Sequence, residues 1–179
     1  MIYKGKCDAF AFFNIKSVEM ENMNVIIREA LPCDAESILD MVKDLAVQHD
    51  ALPMIVYTAD DLREVGIGKK GASVGALVAE LGEKVIGIAL YFYRFSTWRG
   101  PTLHIEDLIV KKEYRGKGIG EALMNAVVEK ARIEGRDRVE LDVEGDNESA
   151  IAFYKKKGFE VKEWYAAKLY LNEKIKSNE

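Results

Sequence analysis

Several short stretches of the chain alternate hydrophobic and polar residues, which is typical of strands that bury one face. The alternation begins over residues 24–29. It recurs over residues 75–81 and 85–95, on either side of a Gly82-Glu83 pair that is typical of a hairpin turn. These last two stretches therefore predict a β-hairpin. Further strands are predicted over residues 103–110, 139–143, 159–163 and 166–172.

Between these stretches, apolar residues recur every three or four positions, which predicts helices with one buried face. Ile38, Met41 and Leu45 form such a stripe, and so do Ile119, Leu123 and Val127. The capping residues then set the predicted helix ends. Four helices are predicted: one opened by Pro32 and Asp34, a short one from Thr58 to about Val65, one over 119–134 that ends at Gly135, and one over 149–157 that ends at Gly158. The order of strands and helices indicates a mixed α/β protein.

Composition narrows the class of protein. The 179 residues suffice for one domain with a buried core, and the formal net charge of −4 gives no basic field for nucleic acid. Cys7 and Cys33 are too few for a disulfide framework and are not spaced as a metal-binding pair, so no metal site is expected. Neither a membrane span nor the apolar core of a signal peptide is present, so we expect a cytoplasmic protein without membrane contact.

The most informative segment is a glycine loop that leads from the strand at 103–110 into the helix at 119–134. Gly116, Gly118 and Gly120 remove the Cβ atoms that would keep a bulky anion away, and the helix adds the positive end of its dipole. The glycine spacing fits neither a P-loop nor a dinucleotide fingerprint. The loop is therefore predicted to bind phosphate groups of another ligand.

The spacing that does fit is Arg-x-x-Gly-x-Gly, from Arg115 to Gly120. A second motif, Asn-x-x-Ala-x-x-Phe-Tyr-x-x-x-Gly-Phe, runs from Asn147 to Phe159. In this order the two motifs resemble the GNAT superfamily of acetyl-CoA-dependent N-acetyltransferases, with similarity over about residues 25–171. The closer match is to the diamine (spermidine/spermine) and thialysine N-acetyltransferases, and it is carried by Trp98, Gly100, Glu106 and Asp107.

This resemblance implies the GNAT fold: a central mixed, largely antiparallel sheet of six or seven strands, flanked by about four helices, with two splayed strands that hold CoA. It assigns residues 23–179 to the acetyltransferase domain and leaves residues 1–22 as an N-terminal extension. It implies acetyl-CoA as co-substrate, a small-molecule amine as the other substrate, and a homodimer as the assembly.

The resemblance also implies a set of cofactor-binding residues. Backbone N–H groups of Leu108, Ile109 and Val110 would bind the pantetheine arm and polarise the thioester. The remaining cofactor-binding residues are Arg115, Gly116, Lys117, Gly118, Ile119, Gly120, Glu121, Asn147, Ala150 and Tyr154. Tyr154 is also the implied proton donor to the departing CoA thiolate.

An amine substrate must lose a proton before it attacks, because an alkylammonium has a pKa of about 10.4. The candidate base is Glu106, acting through a water molecule. Asp107 follows it directly, and strand alternation puts the two side chains on opposite faces unless a bulge intervenes. The predicted substrate-binding residues are Gln48, His49, Trp98, Glu106, Asp107, Glu140 and Asp142.

The chain departs from the diamine acetyltransferases after its first predicted helix. The aromatic and acidic residues expected there are replaced by residues 48–53, which leave Asp50 as the single obvious acid. The sequence therefore does not choose among three kinds of substrate: a polyamine, a diamine, and a thialysine- or lysine-like amino acid. Two other functions also stay open: a protein Nα- or lysine acetyltransferase, and a non-catalytic acyl-CoA-binding module.

Overall fold

The protein is described by a computed structural model that covers residues 14–20, 23–69 and 71–162. Within these ranges, six strands form a sheet in the order in which they follow along the chain. The four pairs formed by the first five strands are all antiparallel, which confirms the predicted largely antiparallel sheet. The strands are β1 (Asn14–Met20), β2 (Met23–Glu29), β3 (Val74–Leu81), β4 (Lys84–Ser96), β5 (Gly100–Val110) and β6 (Arg138–Leu141).

All four predicted helices are present: α1 (Ala35–Gln48), α2 (Ala59–Val65), α3 (Ile119–Ile133) and α4 (Glu148–Lys156). The N-cap residue of α2 is Thr58, as predicted. The Thr58 hydroxyl accepts the backbone N–H of Asp61 at 3.3 Å, and the Asp61 carboxylate accepts the backbone N–H of Thr58 at 2.7 Å. This reciprocal capping box fixes the first turn of the helix, because it satisfies donors that have no partner within the helix.

The chain divides into two compact units, residues 1–140 and residues 141–179. In the first unit, alternate residues of β4 face two different helices. Ile88 and Leu90 belong to the apolar cluster that includes the buried face of α1. On the other face, a Cβ on Gly87 would lie 3.1 Å from Leu123 and 3.2 Å from Ile119, both on α3. Glycine at position 87 therefore lets α3 lie close against the sheet.

The structure differs from the sequence predictions at both ends of the sheet. β1 was not predicted, and it brings six residues of the proposed N-terminal extension into pairing with β2. The domain boundary between residues 22 and 23 itself stays a prediction. The strand predicted over 159–163 is wrong for residues 159–162, which have no regular secondary structure. A strand needs a hydrogen-bonded neighbour, and its predicted neighbour at 166–172 lies outside the described residues.

A buried ion cluster ties α3 to the sheet. Lys130 is 5% exposed, and its ammonium lies 2.6 Å from the Glu29 carboxylate of β2 and 2.7 Å from the Glu134 carboxylate. The Tyr93 hydroxyl of β4 donates to Glu134 at 3.0 Å. Hydrogen bonds from Lys130 to both carboxylates hold its pKa above the ordinary value against the effect of burial, so the side chain stays charged.

Replacing Lys130 with alanine is expected to destabilise the protein by about 3 kcal/mol, because it leaves the Glu29 carboxylate partly buried without this cation and leaves Glu134 paired with Arg136 alone. The matched control is Arg132→Ala on the same helix, whose side chain is 73% exposed. This control is expected to change stability by less than about 0.5 kcal/mol. Urea unfolding of both variants measures the difference, and equal stabilities would contradict a structural role for the cluster.

Candidate active site

The predicted base Glu106 lies at a bulge in β5. Asp107 is paired with Leu90 of β4, whereas the next residue of β4, Tyr91, is paired with Ile105. Glu106 is thus an extra residue with no partner in β4. This is the bulge that the sequence left open, and it removes the simple alternation that would place Glu106 and Asp107 on opposite faces.

The two carboxylates carry unbalanced negative charge. Glu106 is exposed and Asp107 is half-buried. Within the described ranges, neither side chain has a hydrogen bond or an ion pair. Burial, and secondly the charge of Glu106, raises the pKa of Asp107 to about 6. An unpaired acidic pair of this kind attracts a cation.

A third polar group, which the sequence analysis missed, shares this environment. The half-buried ring of Tyr57 packs against the apolar cluster that contains Leu90 and Ile109. Burial raises the pKa of the Tyr57 hydroxyl, and the charges of Asp107 and Glu106 raise it further. Tyr57 belongs to no recognisable motif, so only the folded chain reveals it beside the carboxylates.

The glycine loop has the geometry expected of an anion site. Gly116 and Gly118 have φ of 76° and 82°, a left-handed conformation that favours glycine. A Cβ on Gly116 would meet no atom within 4 Å, and no side chain caps the start of α3 at Gly118. Gly118 therefore offers the first N–H groups of this 15-residue helix no capping side chain, and the space in front of the loop is open.

Arg115 holds the loop against the end of β5. Its Nε donates to the backbone oxygen of Val110 at 2.9 Å. Its Nη2 donates to Oε1 of Gln48, at the end of α1, at 3.4 Å. The structure therefore brings Gln48 to the glycine loop, while His49 next to it is exposed. Substrate contacts by these two residues stay predictions.

The other predicted substrate residues have different surroundings. Trp98 is 91% exposed in the turn between β4 and β5. The start of β5 at Gly100 lies about 20 Å along the strand from Glu106, because a strand rises about 3.3 Å per residue. Glu140 accepts hydrogen bonds from Arg94 at 3.1 Å and from Arg138 at 2.8 Å, so its charge is balanced by two arginines. Asp142, an exposed residue, belongs to the second unit.

In the second unit, the predicted motif residues form the start and the apolar face of α4. Oδ1 of Asn147 accepts the backbone N–H of Ala150 at 3.1 Å, so Asn147 is the helix cap. The Tyr154 ring lies 5.4 Å from the Phe153 ring and 5.8 Å from the Phe159 ring, between centroids. Burial raises the pKa of the Tyr154 hydroxyl above its ordinary value.

Comparison with known proteins decides the family. The sequence matches the Acetyltransferase (GNAT) family over residues 40–159. The chain belongs to the GNAT acetyltransferase family. The thialysine N-epsilon-acetyltransferase of Bos taurus is 34% identical over 142 residues, which is 75% of this chain and 83% of the bovine protein. The predicted family and enzyme class are thus confirmed: the protein is an acyltransferase.

Solved GNAT structures show the same fold. An aminoglycoside acetyltransferase from a soil metagenomic sample matches with a TM-score of 0.70 and 17% identity, over 86% of this chain and 99% of its own. Aminoglycoside N-acetyltransferase AAC(6')-Iy in complex with CoA matches with a TM-score of 0.67 and 20% identity, over 84% of this chain and 97% of its own.

GNAT acetyltransferases use acetyl-CoA, and the described residues fit this co-substrate. The left-handed glycines, the open space at Gly116 and the uncapped start of α3 make room for a pyrophosphate group. β6 has four residues whereas β5 has eleven, so part of the outer edge of β5 faces no strand in the described ranges. An unpaired strand edge offers backbone hydrogen bonds to an extended group such as pantetheine.

No helix in the described ranges has the length and apolar composition needed to cross a membrane.

Proposed function

We propose that this GNAT enzyme acetylates the primary amine of a small cationic molecule, by direct transfer from acetyl-CoA in a ternary complex. The observation that carries the proposal is the Glu106–Asp107 pair at the β5 bulge, whose negative charge has no counter-ion among the described residues. The names of its relatives favour a thialysine- or lysine-like side-chain amine. A diamine or a polyamine carries the same reactive group.

The co-substrate supplies an acetyl thioester, and the residues of the chain bind the amine and move its proton. Asp107 attracts the ammonium group, because a half-buried carboxylate interacts more strongly with a cation than an exposed one does. Glu106 is exposed at the bulge, where a water molecule can pass the ammonium proton to its carboxylate. Removal of this proton frees the nitrogen lone pair for attack.

Two further groups have proposed roles in the transfer of the acetyl group. Those backbone N–H groups of the Leu108, Ile109 and Val110 segment that face the edge of β5 away from β4 stabilise negative charge on the carbonyl oxygen. The Tyr154 hydroxyl donates its proton to the departing sulfur. A tyrosine hydroxyl carries its proton at neutral pH, as a proton donor must.

The role of Asp107 predicts a specific pH dependence. Because its pKa is about 6, the side chain loses its charge, and with it the attraction for an ammonium ion, as the pH falls below that value. At pH 8 we expect kcat/KM for the amine to be about tenfold higher in wild type than in Asp107→Asn. This ratio should fall toward one near pH 5. A ratio that does not change with pH would contradict the assignment.

The experiment that tests the function is release of free thiol from acetyl-CoA with a panel of amines and an amine-free control. The panel contains thialysine, lysine, putrescine, spermidine, spermine and a short peptide. Saturable release with one small amine supports the proposal. Release with the peptide alone would indicate a protein acetyltransferase, and binding of acetyl-CoA without release from any amine would indicate a non-catalytic binding module.

A homodimer, which the resemblance to the diamine and thialysine acetyltransferases implies, and a cytoplasmic location complete the proposal. Light scattering on the purified protein measures the first, and fractionation of the host cell measures the second.

A further inference from the structure

Glu140 is the centre of a polar cluster that joins strands β4, β5 and β6. Its Oε1 accepts a hydrogen bond from Arg94 of β4 at 3.1 Å, and its Oε2 accepts one from Arg138 of β6 at 2.8 Å. Nδ1 of His104 on β5 lies 3.9 Å from Oε1 of Glu140. Since β5 lies between β4 and β6 in the sheet, the contact between Arg94 and Glu140 spans β5 beside His104. All four residues belong to the first unit.

His104 lies in β5 just before the bulge. The residue is 5% exposed, its partner on β4 is Phe92, and the centroids of the two rings lie 4.6 Å apart. The bulge follows two residues later, at Glu106. A bulge adds one residue to one strand, so its position depends on the register of the residues on either side of it. The contacts of His104 with Phe92 on one side and Glu140 on the other therefore fix the strand where the bulge begins.

We propose that Glu140 is a positioning residue, which keeps His104 in register with β4 and so fixes the direction in which the bulge presents Glu106 to the amine. This inference rests on the proposed function of the site. Both oxygens of Glu140 accept hydrogen bonds from arginine, so its charge is compensated and it attracts an ammonium ion only weakly. Glu140 therefore acts through β5, and not by the substrate contact that the sequence predicts.

Glu140→Gln keeps the size of the side chain and removes the charge that binds the two arginines. We expect it to lower kcat for acetyl transfer to thialysine about tenfold, because a small displacement of a group that moves a proton slows the reaction. KM for thialysine and the Kd of CoA should stay within about twofold of the wild-type values, as expected for a residue that contacts neither ligand. A higher KM with an unchanged kcat would overturn the inference, because it would identify Glu140 as a substrate contact.

The matched control is Glu80→Gln. The side chain of Glu80 on β3 is 24% exposed and that of Glu140 is 25% exposed. Glu80 also accepts a hydrogen bond from an arginine, Nε of Arg28, at 2.7 Å, but β3 is not adjacent to β5 in the sheet. Glu80→Gln should therefore lose a similar free energy of unfolding and keep the kcat of wild type. Equal losses of kcat in the two variants would indicate a general effect on stability and would overturn the inference.

Hydrogen exchange of the backbone N–H groups at residues 104–107 tests the inference without turnover. We expect exchange there to be about tenfold faster in Glu140→Gln than in wild type or Glu80→Gln, because local opening of the bulge becomes easier. If exchange responds in this way but wild type releases no thiol from acetyl-CoA with any amine, Glu140 fixes the bulge and the proposed function fails. If wild type is active and neither kcat nor exchange changes in Glu140→Gln, the inference fails and the proposed function stands.

Discussion

Glu106→Gln is expected to lower kcat for acetyl transfer to thialysine about a hundredfold, which is a typical contribution of a general base. Glutamine keeps the size of the side chain but cannot take a proton at neutral pH. The affinity for CoA should stay as in wild type, because the glycine loop is unaltered. Steady-state kinetics together with calorimetric titration of CoA separate these two effects.

The pH profile of this variant gives a second signature. At neutral pH an alkylamine is almost wholly protonated. The fraction present as free base increases as the pH approaches the amine pKa of about 10.4. The ratio of the wild-type kcat to the kcat of Glu106→Gln should therefore decrease as the pH is raised. Glu83→Gln, an exposed carboxylate in the β3–β4 turn, serves as the control and should behave as wild type. An undiminished kcat in Glu106→Gln would exclude the residue as base.

Gly116→Val is expected to weaken CoA binding at least about a hundredfold, because a branched side chain would fill the space in front of the loop where pyrophosphate is proposed to bind. Valine also disfavours the left-handed backbone at this position, where φ is 76°. A loss of CoA binding could therefore arise from backbone strain alone. The control is a glycine-to-valine substitution at another position with a left-handed backbone.

Gly135 provides that control at the other end of α3. Its φ is 64°, and a Cβ there, as at Gly116, would meet no atom within 4 Å. Gly135→Val should therefore lose a similar amount of stability and keep its affinity for CoA. Thermal unfolding and calorimetry on the two variants make the comparison. Similar CoA affinities in both would contradict the assignment of the loop.

The elements that the sequence predicts well are those whose signals are local. The cap of α2 at Thr58 and the end of α3 near Gly135 depend on residues within one turn of the helix end. The signal for the glycine loop also lies within a few neighbouring residues. Its left-handed residues and its uncapped helix follow from three glycines placed just before an amphipathic segment.

Features that depend on pairing between distant residues could not be predicted. In β1, Ile15 is paired with Ile27 and Ser17 with Ile26, so Lys16 is an extra residue. This irregularity breaks the two-residue period by which a strand is recognised.

The same limit applies to the candidate site. Both carboxylates, Glu106 and Asp107, could be named from the family motifs. The bulge that interrupts the alternation of their side chains depends on the register of β5 with β4, which the sequence does not reveal. Tyr57 could not be named at all. It is more than forty residues away in sequence, and no motif contains it.

Acetyl transfer is best tested by identifying, with NMR, the product formed from isotopically labelled acetyl-CoA and thialysine. We predict a labelled acetyl group on the side-chain nitrogen, with a yield that falls sharply in Glu106→Gln. The absence of any acetylated amine, at protein concentrations that bind CoA fully, would contradict it.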